Sequence, residues 1–146
     1  MDKKKVLFIC TNNSCRSQIA EGLLNSILGT KFIAFSAGIN PTKVSPFAIE
    51  VMKEKGIDLS KQYSKSIEEF KGNNFDFVVT VCDNAKEICP FYPGKKIIHK
   101  SFEDPSKFNG NIEETLEIFR KTRDKIKTWI VDTFGKEKSR MAPNGL

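Results

Sequence analysis

Residues 5–10, Lys-Val-Leu-Phe-Ile-Cys, form a short apolar run that stops at Thr11-Asn12-Asn13, and a helical repeat begins at Ser17. Five consecutive apolar residues without alternation predict a strand buried on both faces. In the repeat, Ile19, Ala20, Leu23, Leu24, Ile27 and Leu28 recur at helical spacing, and Gly29 supplies a stop. A buried strand handed straight to an amphipathic helix opens a βαβ unit, which demands a parallel sheet with cover on both sides.

The rest of the chain continues that alternation. Residues 32–36 read as a second strand ended by Ala37-Gly38, and Pro46 opens a helix that Gly56 closes. Residues 66–70 predict a short helix, residues 75–82 a third buried strand and residues 96–99 a fourth. Ile112, Leu116, Phe119, Ile126, Ile130 and Phe134 make one apolar stripe on a long helix with Arg and Lys opposite, and Gly135 is expected to end it. The fold class is therefore α/β, a single-domain doubly wound sheet of four parallel strands in the order 2-1-3-4 with helices on both faces. The domain is expected over residues 1–135, with 136–146 a flexible basic tail. That order places a switch point between strands one and three, outside the carboxyl ends, where ligands bind. Cys10, Cys82 and Asp104 all fall at that edge.

Composition excludes several classes. A chain of 146 residues has room for one core, and with 39% hydrophobic residues it is neither disordered nor fibrous. Its apolar runs fall far short of the roughly 18 residues a membrane helix needs. Lys3-Lys4-Lys5 mimics the start of a signal peptide, but the apolar stretch behind it is too short, so a cytoplasmic protein is expected. The net charge of +6 collects at the two ends, while residues 11–119 are nearly balanced. A nucleic-acid groove would need a basic stripe interleaved with aromatics, so nucleic acid is not expected as a partner. Monomer is the default. Four cysteines are too few for a disulfide scaffold, which turns attention to their chemistry.

The chemistry concentrates in Cys10-Thr11-Asn12-Asn13-Ser14-Cys15-Arg16-Ser17. A loop curling into a helix start can aim successive backbone N–H groups at one centre, and the helix dipole adds positive potential there. Such a loop binds an oxyanion, and Arg16 can clamp two of its oxygens. The same field favours a thiolate, so Cys10 is the expected nucleophile, with a Ser17 hydroxyl hydrogen bond to its sulfur. Asn13 suits a position of positive φ. Cys15 reads as structural. The bland alternative, a buried strand end beside a surface arginine, leaves the whole constellation unexplained.

Glu103-Asp104-Pro105 supplies an acid. Proline holds Asp104 extended, and a carboxylate presented there could protonate a leaving oxygen. An Asp-Pro pair alone is more often a turn; beside the cysteine loop it reads as catalytic. Cys82 could be a small core residue and Cys89 an incidental loop thiol. The spacings of the four cysteines fit a zinc site poorly. His99, the single histidine, reads as a polar strand end, and Trp129 as packing.

These residues resemble the low-molecular-weight tyrosine phosphatase superfamily, with its Cys-x5-Arg-Ser loop near the amino end and its later Asp-Pro loop. The likeness runs to about Phe134. The second cysteine pair, Cys82 and Cys89, is similar to that of the thioredoxin-coupled arsenate reductase branch. The resemblance implies that Cys10 attacks arsenate, Asp104 helps hydroxide leave, Cys82 attacks the Cys10 sulfur, and Cys89 moves the disulfide to Cys82–Cys89 for reduction by thioredoxin. Pro90 and Pro93-Gly94 make that segment loop-like, as a shuttle requires. Weak phosphatase side activity is implied as well. Two alternatives stay open: a phosphatase using Cys10, Arg16 and Asp104, and a non-catalytic oxyanion-binding or redox-sensing module. No bound cofactor is expected, but members of the branch often hold potassium beside the loop, at positions matching Asn13, Glu21 and Ser36 and a Thr-x-Asp segment. This chain reads Tyr63-Ser64-Lys65 there. A carboxylate is missing, and the Lys65 ammonium is expected at the ion's charge position. Asn12 stands where glycine is common.

Overall fold

The computed structural model describes residues 2–82 and 92–144, with side chains as far as Lys136. Strands β1 (Lys4–Cys10), β2 (Phe32–Gly38), β3 (Phe77–Thr80) and β4 (Lys96–His99) form one sheet in the order β2-β1-β3-β4, all pairs parallel. The order deduced from the alternation of elements is the observed one. Helix α1 (Arg16–Ile27) follows β1, α2 (Pro46–Lys53) follows β2, and α3 (Ile112–Asn144) closes the chain.

Parallel register decides what meets at the sheet's carboxyl edge. Cys10 pairs with Gly38 on one side, and on the other Ile9 pairs with Thr80. The Val81 N–H extends that second ladder to the Ile9 carbonyl at 2.9 Å. The ends of β1, β2 and β3 therefore finish at one level.

Period-two alternation splits the core in two. Val6, Phe8 and Cys10 point to the face covered by α1, α2 and α3, where they join Ile19, Leu23, Val51, Met52, Phe119 and Ile126. Leu7 and Ile9 point to the other face, against Phe75 and Val78, with Phe35, Ile67, Phe70 and Tyr92 at the border. Of the cover expected on both faces, the described residues supply three α-helices to one and a 3-10 turn, Ile67–Phe70, to the other. Phe134 anchors α3 over the sheet, its ring edge-on to those of Phe8, Phe32, Phe77 and Trp129 at 5.2–6.3 Å.

Two expectations need correction. Gly135 does not end the last helix, which runs through it to Asn144, so residues 136–144 of the expected loose tail are helical. Gly stops a helix by adopting positive φ, and Gly135 is not among the residues that do so. Inside a helix it costs only about 1 kcal/mol against Ala, which the charged helix formers after it tolerate. Residues 75–82 likewise shorten to a strand of Phe77–Thr80. Among the described residues no helix is long and apolar enough to cross a membrane.

Candidate active site

The loop between β1 and α1 is held from outside. The Thr11 carbonyl accepts from the Asn40 N–H, that of Asn12 from the Thr42 N–H and the Ser64 hydroxyl, that of Asn13 from Gln18 Nε2, and that of Ser14 from the Ser45 N–H, at 2.9–3.3 Å. In a trans peptide the next residue's N–H points opposite to each carbonyl. Four carbonyls drawn to these partners therefore turn the N–H groups of Asn12, Asn13, Ser14 and Cys15 toward the loop's interior, the kind of arrangement that in general suits an anion. Asn13 takes φ +50°, the left-handed turn expected of it. Helix α1 starts directly behind, with no side-chain cap from Cys15, so its dipole faces the same space.

Cys10 sits at the floor, buried, with its sulfur 2.9 Å from the Ser17 hydroxyl. Arg16, also buried, donates through Nη1 to the Phe102 carbonyl at 3.1 Å and approaches Asp104 Oδ2 with Nη2 at 3.5 Å. Asp104 is extended, at φ −77° and ψ 111°, as the following proline requires. Its Oδ1 accepts from the backbone N–H and hydroxyl of Ser106, which leaves Oδ2 directed at Arg16. The Cys10 thiol, the loop, the Arg16 guanidinium and the Asp104 carboxylate thus lie together at the sheet edge.

The other thiols divide. Burial pushes the Cys15 thiol up to about 12, so it stays neutral at ordinary pH, and it sits 3.8 Å from the Ser14 hydroxyl. Cys82 is fully buried one residue past the end of the β1–β3 ladder, at the strand end neighbouring Cys10. Cys89, like Pro90, lies outside the described residues. His99 hydrogen-bonds through Nδ1 to the Thr80 hydroxyl at 2.6 Å, tying the edge strand to β3.

The residues matching a potassium site do not fit the ion. Hard cations take oxygen ligands, yet Asn13 turns its nitrogen, Nδ2, toward Ser36 at 3.0 Å. Its oxygen is occupied by the Lys65 N–H and Gln18 Nε2 at 2.9 Å each. The Lys65 ammonium itself lies 2.9 Å from the Tyr63 carbonyl and 3.9 Å from Glu21 Oε1. Among the described residues no cluster of three or more His, Cys, Asp and Glu could hold a metal.

Three supporting residues escape a reading of the motif alone. Gly38 admits the loop: a Cβ there would lie 2.7 Å from the Thr11 carbonyl oxygen, 2.9 Å from the Asn13 nitrogen and 2.9 Å from the Cys10 carbonyl oxygen. Gln18, fully buried, binds the Asn13 carbonyl and side chain and the Tyr63 carbonyl. Gln62 donates back to the Gln18 side-chain oxygen at 2.8 Å. Only Gly38 leaves a trace in sequence, as a glycine at the end of a predicted strand.

Comparison with known proteins agrees with this architecture. Residues 5–139 match the low molecular weight phosphotyrosine protein phosphatase family. The chain is 45% identical over 127 residues to a protein of Halalkalibacterium halodurans named arsenate reductase, across 86% of this chain and 91% of that one. A solved structure described as an arsenate reductase in the phosphate binding state superposes with a TM-score of 0.77 at 34% identity, covering 91% of this chain and 98% of the other. The thioredoxin-dependent arsenate reductase of Corynebacterium glutamicum gives a TM-score of 0.58 at 29% identity, over 90% of this chain and 64% of that one. Since the family match spans the sheet from Lys5 onward, the cysteine loop and most of α3, the chain belongs to the low molecular weight phosphotyrosine protein phosphatase family.

Proposed function

We propose that this chain is an arsenate reductase in which Cys10, Cys82 and Cys89 act in series and thioredoxin restores the reduced enzyme. The observation that carries the reading is Cys82, a buried cysteine at the strand end that neighbours Cys10. Phosphoryl hydrolysis has no need of it. The names of the relatives at 45% and 34% identity support the substrate, and the neighbour named thioredoxin-dependent supports the electron donor.

The chemistry balances as two electrons from protein to arsenic. The Cys10 thiolate attacks arsenic, an S–As bond forms, and hydroxide departs as water with a proton from Asp104. The inward N–H groups and Arg16 hold the remaining oxygens. The Cys82 thiolate then attacks the Cys10 sulfur; an S–S bond forms, the S–As bond breaks, and its electron pair reduces As(V) to As(III), which leaves as arsenite. Attack by the Cys89 thiolate on Cys82 releases Cys10 and leaves a Cys82–Cys89 disulfide. Reduced thioredoxin returns both thiols.

Aryl phosphate hydrolysis by Cys10, Arg16 and Asp104 is the second reading. Beside the loop, a hollow lined by Ser14, Phe47, Ser106, Phe108 and Phe119 could seat an aromatic ring. One experiment separates the two. With arsenate, thioredoxin, thioredoxin reductase and NADPH, the wild type should turn over many times. Cys82→Ser and Cys89→Ser should each consume no more than about one equivalent while keeping their aryl phosphate hydrolysis. Sustained NADPH oxidation by Cys82→Ser would dismiss the relay and leave the phosphatase reading.

A further inference from the structure

One short segment aims the Arg16 guanidinium. Nη1 donates to the Phe102 carbonyl at 3.1 Å and Nη2 lies 3.5 Å from Asp104 Oδ2, so residues 102–104 supply both the acceptor that turns the guanidinium and the carboxylate beside it. The segment leaves the sheet where the Lys100 N–H bonds the Thr80 carbonyl at 2.9 Å, and the turn Pro105–Lys107 takes it up again. Of residues 99–104, Phe102 alone is buried. A side chain that is the single buried anchor of a segment sets where the backbone sits, because buried side chains are close-packed in defined rotamers.

The Phe102 ring packs against α3 through Trp129. The two rings meet edge-on, with centroids 6.1 Å apart and planes at 80°. Trp129 in turn meets Phe134 edge-on at 5.9 Å and 89°, and Phe134 is buried in the core against Phe8, Phe32 and Phe77. Edge-to-face contact is a preferred geometry of aromatic pairs, so each ring orients the next. A cavity of about 570 Å³ borders both Phe102 and Trp129, lined also by Lys100, Glu103, Thr128 and Asp132. With that space alongside, Phe102 has room to swing once the indole is cut back.

We propose that Trp129 is a positioning residue for Arg16 and Asp104. Its indole holds the Phe102 ring, and the held ring fixes the Phe102 carbonyl. That carbonyl, with the carboxylate two residues on, sets the guanidinium and the acid beside the cysteine loop. Cutting the indole back lets the segment drift, which loosens the hold on a bound oxyanion and misplaces the acid in the same movement. A displacement of about 1 Å at a reacting group costs about 10²-fold. The proposal rests on Arg16 as the anion clamp and Asp104 as the acid, roles common to the reductase and the phosphatase readings, and not on arsenate, Cys82 or thioredoxin.

The test compares Trp129→Leu and Trp129→Phe with the wild type in two ways: inorganic phosphate binding by calorimetry, which needs no turnover, and kcat/KM for para-nitrophenyl phosphate and phenyl phosphate. The esters differ in their need of a proton, since para-nitrophenolate leaves readily without one and phenolate does not. Trp129→Leu should bind phosphate about tenfold more weakly, the scale of one weakened hydrogen bond to a charged group. It should also lose about tenfold more kcat/KM with phenyl phosphate than with the nitro ester, a part of the roughly 10²–10⁴-fold that a positioned acid supplies. Trp129→Phe keeps an aromatic ring against Phe102 and should recover most of both losses. In an Asp104→Asn background the leaving-group difference caused by Trp129→Leu should vanish, because the indole acts on it through the acid. If Trp129→Leu does not fold by circular dichroism, Phe102→Leu cuts the same contact from the segment's side and should give the same two changes. A folded Trp129→Leu or Phe102→Leu that keeps the wild-type phosphate affinity, or that slows both esters equally, would overturn the proposal. Absence of arsenate turnover in the wild type, with the phosphate and ester results as stated, would instead count against the reductase reading alone.

Discussion

Cys10→Ser is expected to lose arsenate reduction and aryl phosphate hydrolysis together, each by about 10⁶-fold, the scale seen when a nucleophile acting as part of a unit is removed. The Cys10 sulfur lies buried at the floor of the loop, against the Ser17 hydroxyl. A serine hydroxyl in its place ionises far too weakly for the loop field to make it an alkoxide at neutral pH. The change is nearly isosteric, so the fold and the cradle should persist. Inorganic phosphate should therefore still raise the thermal midpoint of Cys10→Ser, because ligand that binds only the folded state stabilises it. Loss of both activities with retained phosphate protection separates chemistry from binding. Arsenate turnover above about 1% of the wild type would deny Cys10 the role of nucleophile, since side-chain removal at such a centre costs far more.

Gly38→Ala is the second large effect, and it acts on the loop rather than on any reacting atom. The added methyl would meet backbone on every side: the Thr11 carbonyl oxygen at 2.7 Å, and the Asn13 nitrogen and Cys10 carbonyl oxygen at 2.9 Å each. None of these is the flexible end of a side chain. The Thr11 carbonyl is also held by the Asn40 N–H at 2.9 Å, so relief of the clash must disturb one of the bonds that turn the peptide planes inward. A displacement of 1 Å in such a cradle costs about 10²-fold, and overpacking costs about 1–3 kcal/mol of stability. Phosphate inhibition of aryl phosphate hydrolysis should weaken about 10²-fold by that reasoning, while circular dichroism shows a folded protein. An unchanged inhibition constant would mean the loop has room that the structure denies.

What the residues disclosed in advance follows from how local each cause is. The strand at 5–10, the cysteine loop, the helix behind it and the positive φ of Asn13 are set by neighbouring residues, and alternation of elements was enough to give the order 2-1-3-4. Asp104 was legible because proline dictates the backbone before it. The outer frame of the cradle was not. Asn40, Thr42, Ser45 and Ser64 reach the loop through hydrogen bonds between segments distant in sequence, and nothing in their spacing announces it. Gln18 is set by the same kind of long-range contact, buried where its amide reaches both Asn13 and the Tyr63 carbonyl. The end of α3 was misjudged because glycine is a stop only where it leaves helical φ, a choice made by context. Lys65 stood out for the opposite reason, as a cationic residue where a carboxylate was expected, and the fold buries that cation beside Glu21.

The most direct measurement is a single turnover without any external reductant. Reduced protein is mixed with one equivalent of arsenate, arsenite is quantified, and free thiols are counted and mapped by peptide mass spectrometry. The relay requires one arsenite released for every two thiols lost, with the disulfide between Cys82 and Cys89 and with Cys10 returned to the free form. Arsenite formed with Cys82 and Cys89 both still reduced would contradict the account.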